Sequence, residues 1–199
     1  PQTGGTITEA LVGSPKLINP IFAPLNDVDR DLAALIYSGL FRLDERFDPQ
    51  PDLAKSYAWL DQGKTLEVTL RDDIFFHDGE AVTADDVVFT YQMIKTWRSP
   101  LVNTLRNAKV IRVNDKTVQF QLEKPQGEFL HLLHIGILPA HLWSEVSETN
   151  AMLAEMNLKP VGSGPYQAVS FTRDSKGEIL TYHLRVFSRY YGPPPLVRD

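Results

Sequence analysis

Short runs in which apolar residues recur at every second position, each closed by a turn signal, constrain this chain most. Such runs make half-buried strands joined as hairpins. Residues 65–70 (Thr-Leu-Glu-Val-Thr-Leu) alternate in this way. Residues 108–113 and 117–122 pair across Asn114-Asp115-Lys116, with Val118, Phe120 and Leu122 on one face and Gln119 and Gln121 on the other. Residues 180–187 alternate again after the Ser175-Lys176-Gly177 turn, and 167–171 supply a strand before it. Strand-like segments also fall at 5–12 and 41–43, and a semi-apolar segment at 53–60 ends in Asp61-Gln62-Gly63. A further apolar run, Ile74-Phe75-Phe76, ends at His77-Asp78-Gly79.

Helical spacing appears between these hairpins. Leu32, Leu35, Ile36 and Leu40 predict a helix capped by Asp27 or Asp29 and running through Leu40. Pro15, Pro20 and Pro24 forbid a helix before it. Thr83-Ala84-Asp85-Asp86 has capping-box spacing, with Asp in place of the usual Glu or Gln. Val87, Val88, Tyr91, Ile94 and Trp97 then form one helix face. Shorter helical pieces fall at 129–133 and 139–143, and 151–158 reads as a helix or turn. Strands clustered in hairpins with helices between them define an α+β fold, not a regular βαβ alternation.

Composition narrows the function classes. Of 199 residues, 43% are hydrophobic and none is cysteine, which removes disulfides, thiolate metal sites and cysteine nucleophiles together. Area scaling predicts that about 70% of the unfolded surface is buried, enough for a core. The net charge is −5 and the basic residues are scattered, which argues against nucleic-acid binding. No apolar run is long enough for a membrane-spanning helix. The opening Pro1-Gln2-Thr3-Gly4-Gly5 reads like a mature or cut start. The abrupt end, from Gly192 through three prolines to Asp199, reads like a cut.

Several constellations bear on chemistry. His77 beside Asp78 has the composition of a general base and its orienter. A hairpin turn with Gly79 at positive φ explains the same residues. His131, His134 and His141 lie within eleven residues and offer ligands for a metal, but Pro139 interrupts them. Asp72, Asp73, Asp85 and Asp86 lack the regular spacing of a cation loop, and a helix start accounts for Asp85 and Asp86. The Gly162-Ser163-Gly164-Pro165-Tyr166 loop has backbone N–H groups that suit an anion, but neither phosphate-loop spacing nor a nucleophile elbow. Tyr37, Trp59, Trp97 and Trp143 read as core or surface aromatics. No catalytic apparatus emerges.

Four segments, in order, carry a resemblance: IYSGLF at 36–41, PDLA at 51–54, LRDDIFFHDGEAVTADDVVF at 70–89 and PVGSGPY at 160–166. Together they resemble the peptide/nickel class of extracytoplasmic solute-binding proteins that serve ABC importers. The resemblance implies a type II periplasmic-binding-protein lobe of mixed α/β structure, carrying the extra N-terminal subdomain of the peptide-binding class. It assigns residues 1–23 to the first part of lobe I, 24–158 to the extra subdomain and 159–199 to the return into lobe I. Members run to about twice this length or more, so the chain is expected to be the N-terminal piece of a longer protein.

The resemblance further implies a peptide or similar small solute as ligand, a membrane permease as partner, no cofactor, no metal and no catalysis. It implies a periplasmic or extracellular location, membrane-associated, with a lipid anchor as one option for the longer protein. By motif, the cleft-facing residues would be Asn19, Pro20, Ile21 and Phe22, then Tyr37, then Ser163, Gly164 and Tyr166. Residues 19–21 would hold the ligand backbone by strand-like addition. The competing readings are the sensor domain of a transcription regulator and a metal hydrolase built on the three histidines.

Overall fold

The largest sheet grows from the period-two runs. The computed structural model describes residues 4–103 and 105–197. In it β1 (Phe41–Leu43) pairs antiparallel with β2 (Pro49–Pro51), and β3 (Ala54–Leu60), β4 (Thr65–Leu70), β5 (Ala108–Asn114) and β6 (Thr117–Leu122) form one antiparallel sheet in the order β3-β4-β6-β5. The β4/β6 register sets Leu66 opposite Phe120 and Val68 opposite Val118. These four side chains and Leu70 are buried to 1% exposure or less, so one face of the central β4–β6 pair is apolar. On the other face the Gln119 amide donates to Glu67 Oε2 at 2.8 Å.

Helix α1 spans Asp27–Ile36 and α2 spans Ala84–Thr96. The Thr83 box closes as expected: Asp86 Oδ2 accepts the Thr83 backbone N–H at 2.8 Å. Asp86 Oδ1 also accepts the Ala140 N–H at 2.8 Å, tying α2 to the short α3 (Ala140–Trp143). Burial still pushes the Asp86 carboxyl above its ordinary pKa. Tyr91 of α2 meets Phe120 edge-on at 5.0 Å, and Phe120 meets Phe129 at 5.5 Å, so helix and sheet share one core. That core joins Ile18 without a break to Ala151, the last residue of α4 (Glu148–Ala151).

A separate hairpin, β7 (Tyr166–Arg173) and β8 (Ile179–Val186), follows the 160–166 loop. The segment after it returns to the region before α2. Arg189 lies over the Phe75 ring at 3.5 Å, and the Tyr191 hydroxyl donates to Asp52 Oδ1 at 2.5 Å.

Three readings are corrected. The α1 cap is Asn26, whose side chain accepts the Val28 N–H at 2.9 Å; Asp29 instead accepts the Lys16 and Leu17 N–H groups at 2.7 and 2.9 Å. The helix stops at Ile36 because Tyr37 is extended (φ −113°, ψ 147°), although Leu40 continues the apolar spacing. Residues 5–12 form no strand; Ile7 is 64% and Val12 100% exposed, so nothing there rewards strand pairing. Residues 74–76 contribute only an isolated bridge between Phe75 and Ala81. The readings placed on Pro1, Gln2 and Thr3, and on Arg198 and Asp199, lie outside the described residues.

Candidate functional site

Three stretches of backbone meet where α1 ends, and glycines let them meet. A Cβ on Gly136 would stand 2.5 Å from Tyr37 Cβ and 3.2 Å from Pro20 Cβ. One on Gly162 would stand 2.0 Å from Ile36 O, and one on Gly164 2.7 Å from Ile36 C. No side chain fits at such distances, so the 160–166 loop lies directly on the α1 terminus. Its Gly164 N–H donates to Ile36 O at 2.8 Å, using a carbonyl the helix leaves unpaired.

The expected cleft residues divide in two. Pro20, Tyr37, Ser163 and Gly164 come together at this crossing. Asn19 and Ile21 are fully buried beside it. Asn19 Oδ1 accepts the Ile21 N–H at 3.0 Å, and its amide donates to Asn157 Oδ1 at 3.3 Å. The N–H groups of Asn19, Ile21 and Phe22 are thus all engaged inside the chain, as is the Ile21 carbonyl, which accepts Ser99 Oγ at 2.7 Å. Residues 20–22 form a turn, and these groups are not open to an incoming strand. Phe22 faces away and stacks on Trp97 at 6.0 Å. Tyr166 opens β7 and its hydroxyl donates to Val197 O at 3.0 Å.

Burial pushes the Tyr37 phenol upward, and its hydroxyl makes one long bond, 3.4 Å, to Ile18 O. Ser163 is fully buried and its Oγ has no hydrogen-bond partner.

His77, which the sequence offers as a general base or as part of a hairpin turn, joins this crossing. Its backbone N–H donates to Gly162 O at 2.8 Å, its Nδ1 accepts the Gly162 N–H at 3.2 Å, and its Nε2 lies 3.1 Å from Gly164 O. A carbonyl needs a donor and an N–H needs an acceptor, so the ring is the neutral Nε2–H tautomer. Asp78 is not its orienter: Asp78 Oδ2 pairs with His141 Nε2 at 2.8 Å. The FHDG turn therefore serves the 160–166 loop. No local signal in the sequence pointed to this, because the partners lie 85 and 87 positions apart.

The other constellations disperse. His134 Nδ1 bonds His131 O at 2.6 Å, while His141 sits on Asp78. Asp72 pairs with Lys55, Asp73 with Arg71 and Asp85 with Arg112. Among the described residues no group of three or more His, Asp or Glu side chains is arranged to hold a metal ion. Trp97 and Trp143 are core, 5.6 Å apart.

The mixed helix-and-sheet fold, with its return hairpin and glycine-pinned crossing, is that of the type II periplasmic binding proteins with which it aligns. Residues 48–196 match the model of the bacterial extracellular solute-binding proteins, family 5 (middle region). The chain belongs to this family. The oligopeptide-binding protein AppA of Bacillus subtilis is 34% identical over 173 residues, covering 84% of this chain and 32% of the relative. The solved structure of AppA from Bacillus subtilis in complex with a nonapeptide aligns with a TM-score of 0.87 at 29% identity, over 100% of this chain and 39% of that one. NikZ from Campylobacter jejuni in complex with Ni(L-His) aligns with a TM-score of 0.78 at 30% identity, over 97% and 37%. The chain spans about a third of the length of the curated relatives it matches.

Proposed function

We propose that the chain is part of a substrate-binding protein that captures a peptide or similar small solute between two lobes and delivers it to the permease of an ABC importer. Binding, not catalysis, is its task, and its place is periplasmic or extracellular. The observation that carries this reading is the match in fold along the whole chain to a protein solved with a nonapeptide bound. Residues 1–23 and 159–199 belong to the lobe and 24–158 to the extra subdomain. The crossing of Pro20, Tyr37, Ser163 and Gly164, buried within the chain, backs the wall of the cleft on this side. Asn19, Ile21 and Phe22 hold that wall from behind, since their N–H groups are already engaged.

In a protein of the relatives' length the ligand would also touch residues beyond these 199, and closure of the second lobe would complete its enclosure. The 199-residue chain is therefore expected to bind a pooled random nonapeptide library more weakly than about 10 μM by isothermal titration calorimetry, a loss of several kcal/mol against a two-walled site. The longer protein is expected to bind tightly. Nanomolar binding by the 199-residue chain would show that the site is complete within it and sink the two-lobe reading.

A further inference from the structure

His77 holds the 160–166 loop by more than one bond. Its main chain and both ring nitrogens act on Gly162 and Gly164, and its ring packs edge-on against Phe187 at 4.9 Å. The loop it holds is the one whose Gly164 N–H closes the α1 terminus and which contains the buried, unpartnered Ser163 hydroxyl. We propose that His77 is a positioning residue for the ligand-binding wall: the neutral imidazole clasps the Gly162–Gly164 loop onto α1, and protonation of Nδ1 opens the clasp. This inference rests on the binding reading above.

Two features support it. The clasp needs an acceptor at Nδ1, and a second proton on the ring abolishes that acceptor while the Nε2 donor remains. Burial lowers the His77 pKa to about 4, so the clasp is closed at neutral pH. The charged groups around the ring are few. Asp78, the adjacent residue, favours the protonated ring but is engaged by His141. From the segment after β8, Arg189 donates to Gly79 O at 3.4 Å, two residues from His77. The loop itself presents only backbone to the ring.

Replacing the side chain separates a hydrogen-bonding clasp from simple ring packing. His77→Phe keeps a ring against Phe187 and removes both polar atoms. His77→Asn loses the ring and keeps an acceptor where Nδ1 stood. Hydrogen exchange of the Gly162 amide, read by NMR on the 199-residue chain and corrected for intrinsic rate, is expected to quicken by about tenfold or more in His77→Phe and by much less in His77→Asn. Protection preserved in His77→Phe and lost in His77→Asn would overturn the proposal, because packing alone would then hold the loop. Should His77→Phe not fold, the wild-type chain decides: the Gly162 amide must lose protection with a midpoint near pH 4, together with the change in the His77 ring nitrogen signals. Protection that persists while the ring titrates would equally overturn it. Calorimetry with the random nonapeptide pool, run on the longer protein carrying the same substitutions, separates the two readings. Affinity that falls in His77→Phe and recovers in His77→Asn supports both. An amide pattern as expected with the same affinity in all three proteins leaves the clasp standing and removes the loop from the binding wall.

Discussion

Phe47 sits in the left-handed region, φ 64°, at the tip of the β1–β2 hairpin and is 72% exposed. The turn forces it there: Asp44 Oδ1 accepts the Arg46 and Asp48 N–H groups at 2.8 and 3.0 Å, and the Phe47 N–H donates to Asp44 O. A bulky residue costs about 1–2 kcal/mol in that region and a glycine costs nothing sterically. Phe47→Gly is therefore expected to stabilise the chain by about 0.5–1 kcal/mol, raising the melting temperature by roughly 2–4 °C per kcal/mol; an unchanged or lower calorimetric midpoint would refute the strain. The buried amides go the other way. Asn157 donates to Ala151 O at 2.8 Å and accepts from Asn19, both residues being at most 1% exposed. Asn157→Leu leaves the Ala151 carbonyl and the Asn19 amide without these partners, a loss of about 2 kcal/mol measurable by urea denaturation. Neither feature was legible beforehand. Asn157 reads as one more polar residue in a turn, and its partner is 138 positions away.

Elements were legible where one local rule decides them. The β4 run, the β5–β6 hairpin and the α2 capping box need only neighbours in sequence, and each stands where spacing put it. The errors arose where tertiary contact overrides spacing. Leu40 continues the α1 stripe, yet the chain must turn extended at Tyr37 so that Gly39 can lie against His134, 2.6 Å from a Cβ placed there. Similarly, Gly162 and Gly164 announce a loop, but only their contact with Ile36 explains why two glycines are needed. Gly162→Ala would set a methyl 2.0 Å from Ile36 O and is expected to cost about 3 kcal/mol, whereas Gly127→Ala meets nothing within 4 Å and should be near neutral. Equal denaturant midpoints for the two variants would contradict the crossing. The clasp also gives the element a pH signature. His77 has its pKa depressed on folding, from the 6.5 of an ordinary histidine to about 4. Its contribution is thus present above pH 6.5 and lost as pH falls through 4, about 3 kcal/mol in all. The stability difference between wild type and His77→Asn is expected to shrink over that window.

At the scale of the molecule, the chain exposes 11114 Å², against the roughly 9,500 Å² of a compact monomer of its mass. The excess fits the open N-terminal segment and the β7–β8 hairpin, where Val12, Val169 and Leu180 are exposed. The described ends nevertheless meet: the Gly4 N–H donates to Leu196 O at 2.8 Å. A tie across the chain joins Tyr191 to Asp52, 139 positions apart, with Arg71 over the Tyr191 ring at 5.0 Å. Burial raises the Asp52 pKa, and the Tyr191 hydroxyl is the largest of the groups opposing it. Removing that donor leaves a half-buried carboxylate short of a partner while the ring remains for Arg71. Tyr191→Phe is therefore expected to cost about 1–2 kcal/mol at neutral pH, less as acid protonates Asp52, and less again in an Asp52→Asn background. A double-mutant cycle by urea denaturation measures the coupling. A coupling energy near zero would mean that ring packing alone, through Arg71, fastens this segment to the sheet side of the molecule.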